Sequence, residues 1–269
     1  MPTIQTDSNR INYDIRGAGS AAILFNHSGT SHLGWSERFL EALAEELTVV
    51  TVDYRGTGHS SPASSAFSLL DLAADGHAIL KAEGIDDAIV IGTSMGGAVA
   101  QEFTLAFPQR VTALVLLGTF AGQEHLVPAD PSVLEPLEAL SMPMSKIERW
   151  RRLLPTIYSA TFLEQHEDLA LELELKGSQF TTEETIARHG AAVSEFELYE
   201  RLSSISAPTL VIHGMEDPII PVENGRILAG RISNSIYVEL EGVGHLPAVE
   251  KPFDVAGRIL SFARRNGLI

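Results

Sequence analysis

Short, mostly apolar runs at Ala21–Phe25, Val49–Val52, Ala88–Ile91, Val111–Leu117 and Thr209–Ile212 alternate along this chain with stretches of helical periodicity. A strand with no polar face is stable only when both of its sides are covered, as in a parallel sheet packed between helices. The intervening patterns supply those helices: Trp35, Phe39, Leu40, Leu43 and Leu47 share one face, as do Leu69, Leu72, Ala73, Gly76, Ile79 and Leu80. Helical patterns from about Val222 to Arg231 and from Pro252 to Arg265 flank the strand Ile236–Leu240, and Pro252 suits a first helical turn. Ile11–Ile15 alternates apolar and polar residues and reads as a half-exposed strand near the sheet edge. The expected fold is therefore α/β, with a mostly parallel, doubly wound sheet flanked by helices.

The alternation breaks once. From Thr119 to Ala207, prolines at 128, 131, 136, 143 and 155 punctuate short helical patterns, and long strands are missing. We expect a helical cap at 119–207 inserted into a core made of 1–118 and 208–269. Within it, Leu169, Leu171, Leu173 and Leu175 alternate with polar residues as in a strand. The helical surroundings predict helix instead.

Ligands of such sheets bind at the carboxyl ends of the strands, and that rim is where the chemistry-bearing residues fall. Ile89-Val90-Ile91 runs into Gly92-Thr93-Ser94-Met95-Gly96-Gly97, and an Ala-rich helical pattern follows at once. A Gly-x-Ser-x-Gly between a strand and a helix is a nucleophile elbow, a turn tight enough to strain the serine backbone and lift its hydroxyl above the sheet. Asp217 and His245 follow two later strands. A serine hydroxyl needs a base, a histidine can take and return its proton, and a carboxylate fixes the histidine tautomer. Ser94, Asp217 and His245 are thus the candidate catalytic residues, with Glu216 competing for the acid's place. His27, His59 and His213 also end strands, but packing or loop hydrogen bonds suit them better; His27 borders the site most closely. Asp53 and Asp254 read as structural.

Composition narrows the function classes. There is no cysteine, which removes disulfides, thiol catalysis and thiolate metal sites. A formal net charge of −16 disfavours nucleic acid and anionic membrane surfaces. No basic, apolar leader opens the chain, and no apolar run nears the roughly 20 residues of a membrane span. A cytoplasmic protein, monomeric or homodimeric, without cofactor or metal, is the expectation.

Four motifs in order, Asp53-Tyr54-Arg55-Gly56-Thr57-Gly58-His59-Ser60, Gly92–Gly97, His213-Gly214-Met215-Glu216-Asp217-Pro218 and Gly244-His245, resemble those of α/β-hydrolase-fold serine hydrolases over essentially the full length. The order Ser…Asp…His agrees. The resemblance favours Asp217 over Glu216, because the family acid precedes the proline. It also implies an oxyanion hole from two backbone N–H groups. Met95, after the nucleophile, supplies one. The other comes from the loop after Phe25, where relatives usually read His-Gly-x and this chain reads Asn26-His27-Ser28-Gly29-Thr30. Counting back from Trp35, which resembles a tryptophan opening the next helix in relatives, makes Ser28 the donor; taking His27 as the motif histidine makes it Gly29. Ser28 is preferred.

Ser94 sets the chain apart from the haloalkane dehalogenases and epoxide hydrolases of this fold, whose nucleophile is aspartate. The Asn-x-x-Gly-Thr loop and Thr-Ser-Met-Gly-Gly elbow resemble 3-oxoadipate enol-lactone hydrolases and small-ester esterases, with antibiotic methylesterases nearby. Thr93 and Leu246 depart from the carbon–carbon bond hydrolases, and the glycine- and proline-rich loop of proline iminopeptidases is missing. The resemblance implies a serine hydrolase of a small ester or lactone. Carbon–carbon bond hydrolysis, lyase or cofactor-free peroxidase chemistry, and a hydrolase-derived ligand receptor are the alternatives. Arg149, Arg151 and Arg152 are either a substrate-carboxylate clamp or an exposed basic face.

Overall fold

A computed structural model of the protein describes residues 1–6, 9–63, 65–133 and 144–269. Eight strands form one sheet in the order β1-β2-β4-β3-β5-β6-β7-β8. They are β1 (Thr3–Gln5), β2 (Arg10–Arg16), β3 (Ser20–Phe25), β4 (Leu47–Val52), β5 (Ala88–Thr93), β6 (Val111–Leu117), β7 (Thr209–Gly214) and β8 (Ser235–Leu240). Only the β1–β2 and β2–β4 pairs are antiparallel; from β4 to β8 the sheet is parallel. The alternating strand read at Ile11–Ile15 is β2, second from the edge. The three-residue β1 outside it is too short to leave a pattern in the sequence.

The flanking helices are α1 (Glu37–Ala44), α2 (Leu69–Ala82), α3 (Met95–Ala106), α4 (Lys146–Leu153), α5 (Ala160–Gly177), α6 (Glu183–Ser194), α7 (Glu223–Arg231), the short α8 (Pro247–Glu250) and α9 (Pro252–Arg265). Successive side chains of a strand point to opposite faces, and the sheet divides its core accordingly. Ile23, Phe25 and Val90 pack with Leu72, Ile79, Phe103 and Leu228 of α2, α3 and α7. Leu24, Ile89 and Ile91 pack with Phe39, Leu43, Val255 and Ile259 of α1 and α9. Each such side chain, once fully buried, contributes about 1.5–3 kcal/mol. α1 starts at Glu37, two residues after Trp35, because His32–Gly34 first makes a 3-10 turn capped by the Ser31 hydroxyl.

Between β6 and β7 the described residues hold α4, α5 and α6, a helical stretch at 131–133 and no strand of the sheet. Ser145 and Glu148 form a capping box that starts α4. The Leu/Glu alternation lies inside α5, a helix kinked at His166. A third apolar cluster, Leu154, Tyr158, Phe162, Ala170 and Leu171 with Leu246 and Val249, ties these helices to the chain after β8. Residues 134–143, including the prolines at 136 and 143, lie outside the described residues.

At the sheet centre β5 turns into α3 with no intervening residue but Ser94. A Cβ on Gly92 would lie 2.1 Å from the Gly96 carbonyl oxygen, and one on Gly96 would lie 2.0 Å from the Phe25 carbonyl oxygen. Backbone, not a flexible side chain, occupies that space. Gly96→Ala is therefore expected to destabilise the fold by about 3 kcal/mol, measured as a lowered urea midpoint.

Candidate active site

Ser94 is the one non-glycine residue with positive φ among the described residues, at φ 55° and ψ −125°. Such a conformation persists only where its surroundings over-determine it. Here the Ser94 N–H donates to Leu117 O (3.0 Å), and the Thr119 hydroxyl donates to Ser94 O (2.7 Å). The Oγ is left at the N-terminus of α3, where the helix dipole favours negative charge.

The three residues singled out from the sequence come together. Ser94 Oγ lies 2.8 Å from His245 Nε2, and His245 Nδ1 lies 2.8 Å from Asp217 Oδ2. Asp217 bears only acceptor oxygens when ionised, so Nδ1 carries the proton and Nε2 accepts from the serine. The remaining Asp217 oxygen accepts from the Ile219 and Ile220 N–H groups at 3.1 and 2.8 Å. Burial works against the Asp217 charge, but His245 and His213, by charge and by hydrogen bond, outweigh it and hold the carboxyl below its usual range. Glu216, the competing acid, is exposed. His245 itself is set by its own N–H, which donates to Ile157 O at 2.7 Å. β8, which leads to it, is a half-exposed edge strand rather than a buried one.

The other strand-end histidines sort differently. His213 donates from Nε2 to Ile220 O at 2.8 Å, with Asp217 Oδ2 at 3.2 Å, so it supports the Asp217 loop. His59 donates its backbone N–H to the fully buried Asp53, which also accepts from Asn12 Nδ2 and from both the backbone N–H and Nδ1 of His32. Burial opposes the Asp53 charge; the His32 contacts and the His59 N–H overcome it and keep the carboxyl below its ordinary value. Asp53 thus pins the loops after β3 and β4 together. Asp254 pairs with Arg258 on the surface of α9.

The loop after β3 is held from two sides. Asn26 Oδ1 accepts the His27 N–H, its Nδ2 donates to Ser31 O, and the Tyr54 hydroxyl donates to Asn26 O. From the other side, α6 supplies His189 Nδ1, which accepts the Gly29 N–H at 3.0 Å, and α5 supplies Gly177 O, which accepts from Ser31 N–H at 2.9 Å. Gly29 adopts φ 75° there. Among the described residues, neither Ser28 N–H nor Met95 N–H has a protein acceptor. His189 is fully buried, and burial pushes its pKa down to about 4, so it stays neutral. Nothing in the sequence around His189 marked it, because its partner is 160 positions away.

Two glutamates also lie buried by the site. Glu250 accepts from Ser159 Oγ (2.6 Å) and Gly244 N–H (3.0 Å), and Glu174 accepts the Tyr158 hydroxyl (2.7 Å). Burial raises both to about 7. The arginines of α4 point elsewhere: Arg149 pairs with Glu183, Arg151 faces Glu167, and Arg152 is exposed, which fits the basic-face reading.

A carboxyl raised on folding stabilises the native state most when both states are protonated, and that contribution fades as pH rises through its native pKa. For Glu174 the loss runs from its ordinary 4.5 through about 7. The melting temperature is expected to fall between pH 5 and pH 8, and to fall less in Glu174→Gln, which keeps an acceptor for Tyr158. Equal declines in the two proteins, followed by calorimetry, would contradict this.

Comparison with known proteins places the fold. The family model described as alpha/beta hydrolase fold matches residues 21–252. A poly(3-hydroxyalkanoate) depolymerase of Ectopseudomonas oleovorans is 30% identical over 98% of this chain and 92% of its own length. A 2-hydroxy-6-oxononadienedioate/2-hydroxy-6-oxononatrienedioate hydrolase of Burkholderia vietnamiensis is 32% identical over 95% of this chain and 91% of its own. The crystal structure of a hydrolase from Pseudomonas aeruginosa superposes with a TM-score of 0.84 at 29% identity, covering 97% of each chain. With elbow, sheet order and family match in accord, the chain belongs to the α/β hydrolase fold family.

Proposed function

We propose that the protein hydrolyses a small carboxylic ester or lactone through an acyl-enzyme on Ser94, with His245 as general base and acid and Asp217 as its orienting carboxylate. The observation that carries this reading is the unbroken relay of two 2.8 Å hydrogen bonds from Asp217 through His245 to a strained Ser94. Ser94 Oγ attacks the substrate carbonyl carbon while its proton passes to His245 Nε2. The carbonyl π electrons move onto oxygen, and the Ser28 and Met95 N–H groups receive that oxyanion. Gly29 is the poorer candidate for this role, since its N–H is already given to His189. Collapse of the tetrahedral intermediate breaks the bond to the alkoxy oxygen, which takes the His245 proton as it leaves. Water then repeats the sequence, losing a proton to His245, and the acid departs with Ser94 restored. The described helices between β6 and β7 act as a cap roofing this chemistry.

The depolymerase likeness supports ester hydrolysis, since a polyhydroxyalkanoate is a polyester. The second relative acts on a compound whose name contains no ester, and this favours carbon–carbon bond hydrolysis as the alternative. p-Nitrophenyl esters, enol lactones and a dienoate ring-cleavage product, assayed side by side, separate the two.

Labelling by a fluorophosphonate probe is expected in the native protein and lost in Ser94→Ala; labelling that survives the substitution rejects the nucleophile. Asp217→Asn is expected to lower kcat by about 10⁴, because the amide favours the wrong histidine tautomer. His189→Phe keeps an aromatic ring but frees the Gly29 N–H. It is expected to lower kcat about tenfold through a looser oxyanion loop, with KM changing much less.

A further inference from the structure

We propose that His27 and Glu174, two buried polar side chains beside His245, form a subsite for a substrate hydroxyl group, so that esters bearing a hydroxyl near the scissile bond are preferred to their unsubstituted counterparts. The inference rests on the ester-hydrolase reading and deepens it. His27 stands in the loop after β3, whose Asn26 carbonyl would meet a Cβ on Gly96 at 2.5 Å, so it lies against the elbow. Glu174 comes from α5 on the opposite side. His27 Nε2 and Glu174 Oε1 are 3.8 Å apart, with side chains only 9% and 2% exposed. That separation exceeds a hydrogen bond and invites a third, bridging polar group.

Both groups have capacity to spare. Glu174 Oε1 is engaged by the Tyr158 hydroxyl, whereas Oε2 has no partner among the described residues, and neither has His27 Nε2. Buried polar atoms are seldom left so, because the unmade hydrogen bond is costly. The pair is also next to the chemistry: His245 N–H donates to Ile157 O at 2.7 Å, and the next residue, Tyr158, holds Glu174 through its hydroxyl at 2.7 Å.

The chemistry of the pair selects the ligand group. Burial keeps His27 neutral, with a pKa pushed down to about 3. An imidazole nitrogen and a carboxyl together want one group that can both donate and accept, and a hydroxyl does both through a single small oxygen. A substrate carboxylate would face Glu174 as a like charge, and an alkyl group would leave both polar atoms unmet. The chain after Gly242 closes the far side: Glu250 holds Gly244 N–H and Ser159, fixing the Tyr158 segment that steers Glu174.

The test compares kcat/KM for matched ester pairs. p-Nitrophenyl 3-hydroxybutyrate against p-nitrophenyl butyrate puts the hydroxyl on the acyl side; 2-hydroxyethyl butyrate against ethyl butyrate puts it on the alcohol side. The native enzyme is expected to prefer the hydroxylated member of one pair about tenfold, a ratio typical of one added hydrogen bond, and the pair that responds locates the hydroxyl. Glu174→Leu is expected to bring that ratio to about 1, and Glu174→Gln to retain part of it. Glu172→Gln, exposed on the same helix, is expected to leave the ratio as in the native enzyme. A merely structural Glu174 would lower both members alike. Ratios near 1 in the native enzyme, with Ser94 still labelled and esters turned over, overturn the subsite alone and leave the pair holding water. Absence of both labelling and ester turnover overturns the hydrolase reading and the subsite with it.

Discussion

The close approach of three backbones at Gly92 and Gly96 is the constraint on which the site depends. β5, the end of β3 and the first turn of α3 meet there with no room for a single extra carbon. That crowding forces Ser94 into a conformation its side chain disfavours and brings the loop carrying Ser28 against the same turn. Ser94 and the loop proposed to supply the oxyanion donor are therefore positioned by one packing contact in the middle of the sheet, where apolar layers on both faces resist its relaxation.

Around that point, environment divides the buried acids into two kinds. Asp53 and Asp217 each gather several donors and stay ionised. Glu174 and Glu250 accept, among the described residues, only from hydroxyl and backbone groups of Tyr158, Ser159 and Gly244, and burial raises their carboxyls to about 7. The first pair fixes geometry: Asp53 clamps two loops and Asp217 orients His245. In the second pair, a carboxyl that is partly neutral near pH 7 can donate as well as accept.

Most of the frame was legible in the sequence because its signals are local. The apolar runs, the elbow, the Pro252 helix start and the three strand-end residues Ser94, Asp217 and His245 each announce themselves within a few positions. Even the Leu169–Leu175 alternation, which mimics a strand, yielded to its helical neighbourhood. What stayed hidden depends on pairs far apart in the chain. His189 meets Gly29 across 160 residues, and Tyr158 turns Glu174 inward from a stretch whose other acids, such as Glu172, face water. Periodicity gives the face of a helix but not the tertiary partner that converts one of its acids from solvated to buried.

The loop that would receive negative charge in the reaction takes two of its hydrogen bonds from outside the sheet, Gly29 N–H to α6 and Ser31 N–H to α5. The helices between β6 and β7, proposed as the cap, therefore also hold the loop proposed to cradle the anion. In such an arrangement selectivity and turnover are not separable traits. If those helices roof the substrate as proposed, a change there that admits a new ester would also move the donors of the loop, and drift would be filtered by its effect on rate as much as by its fit.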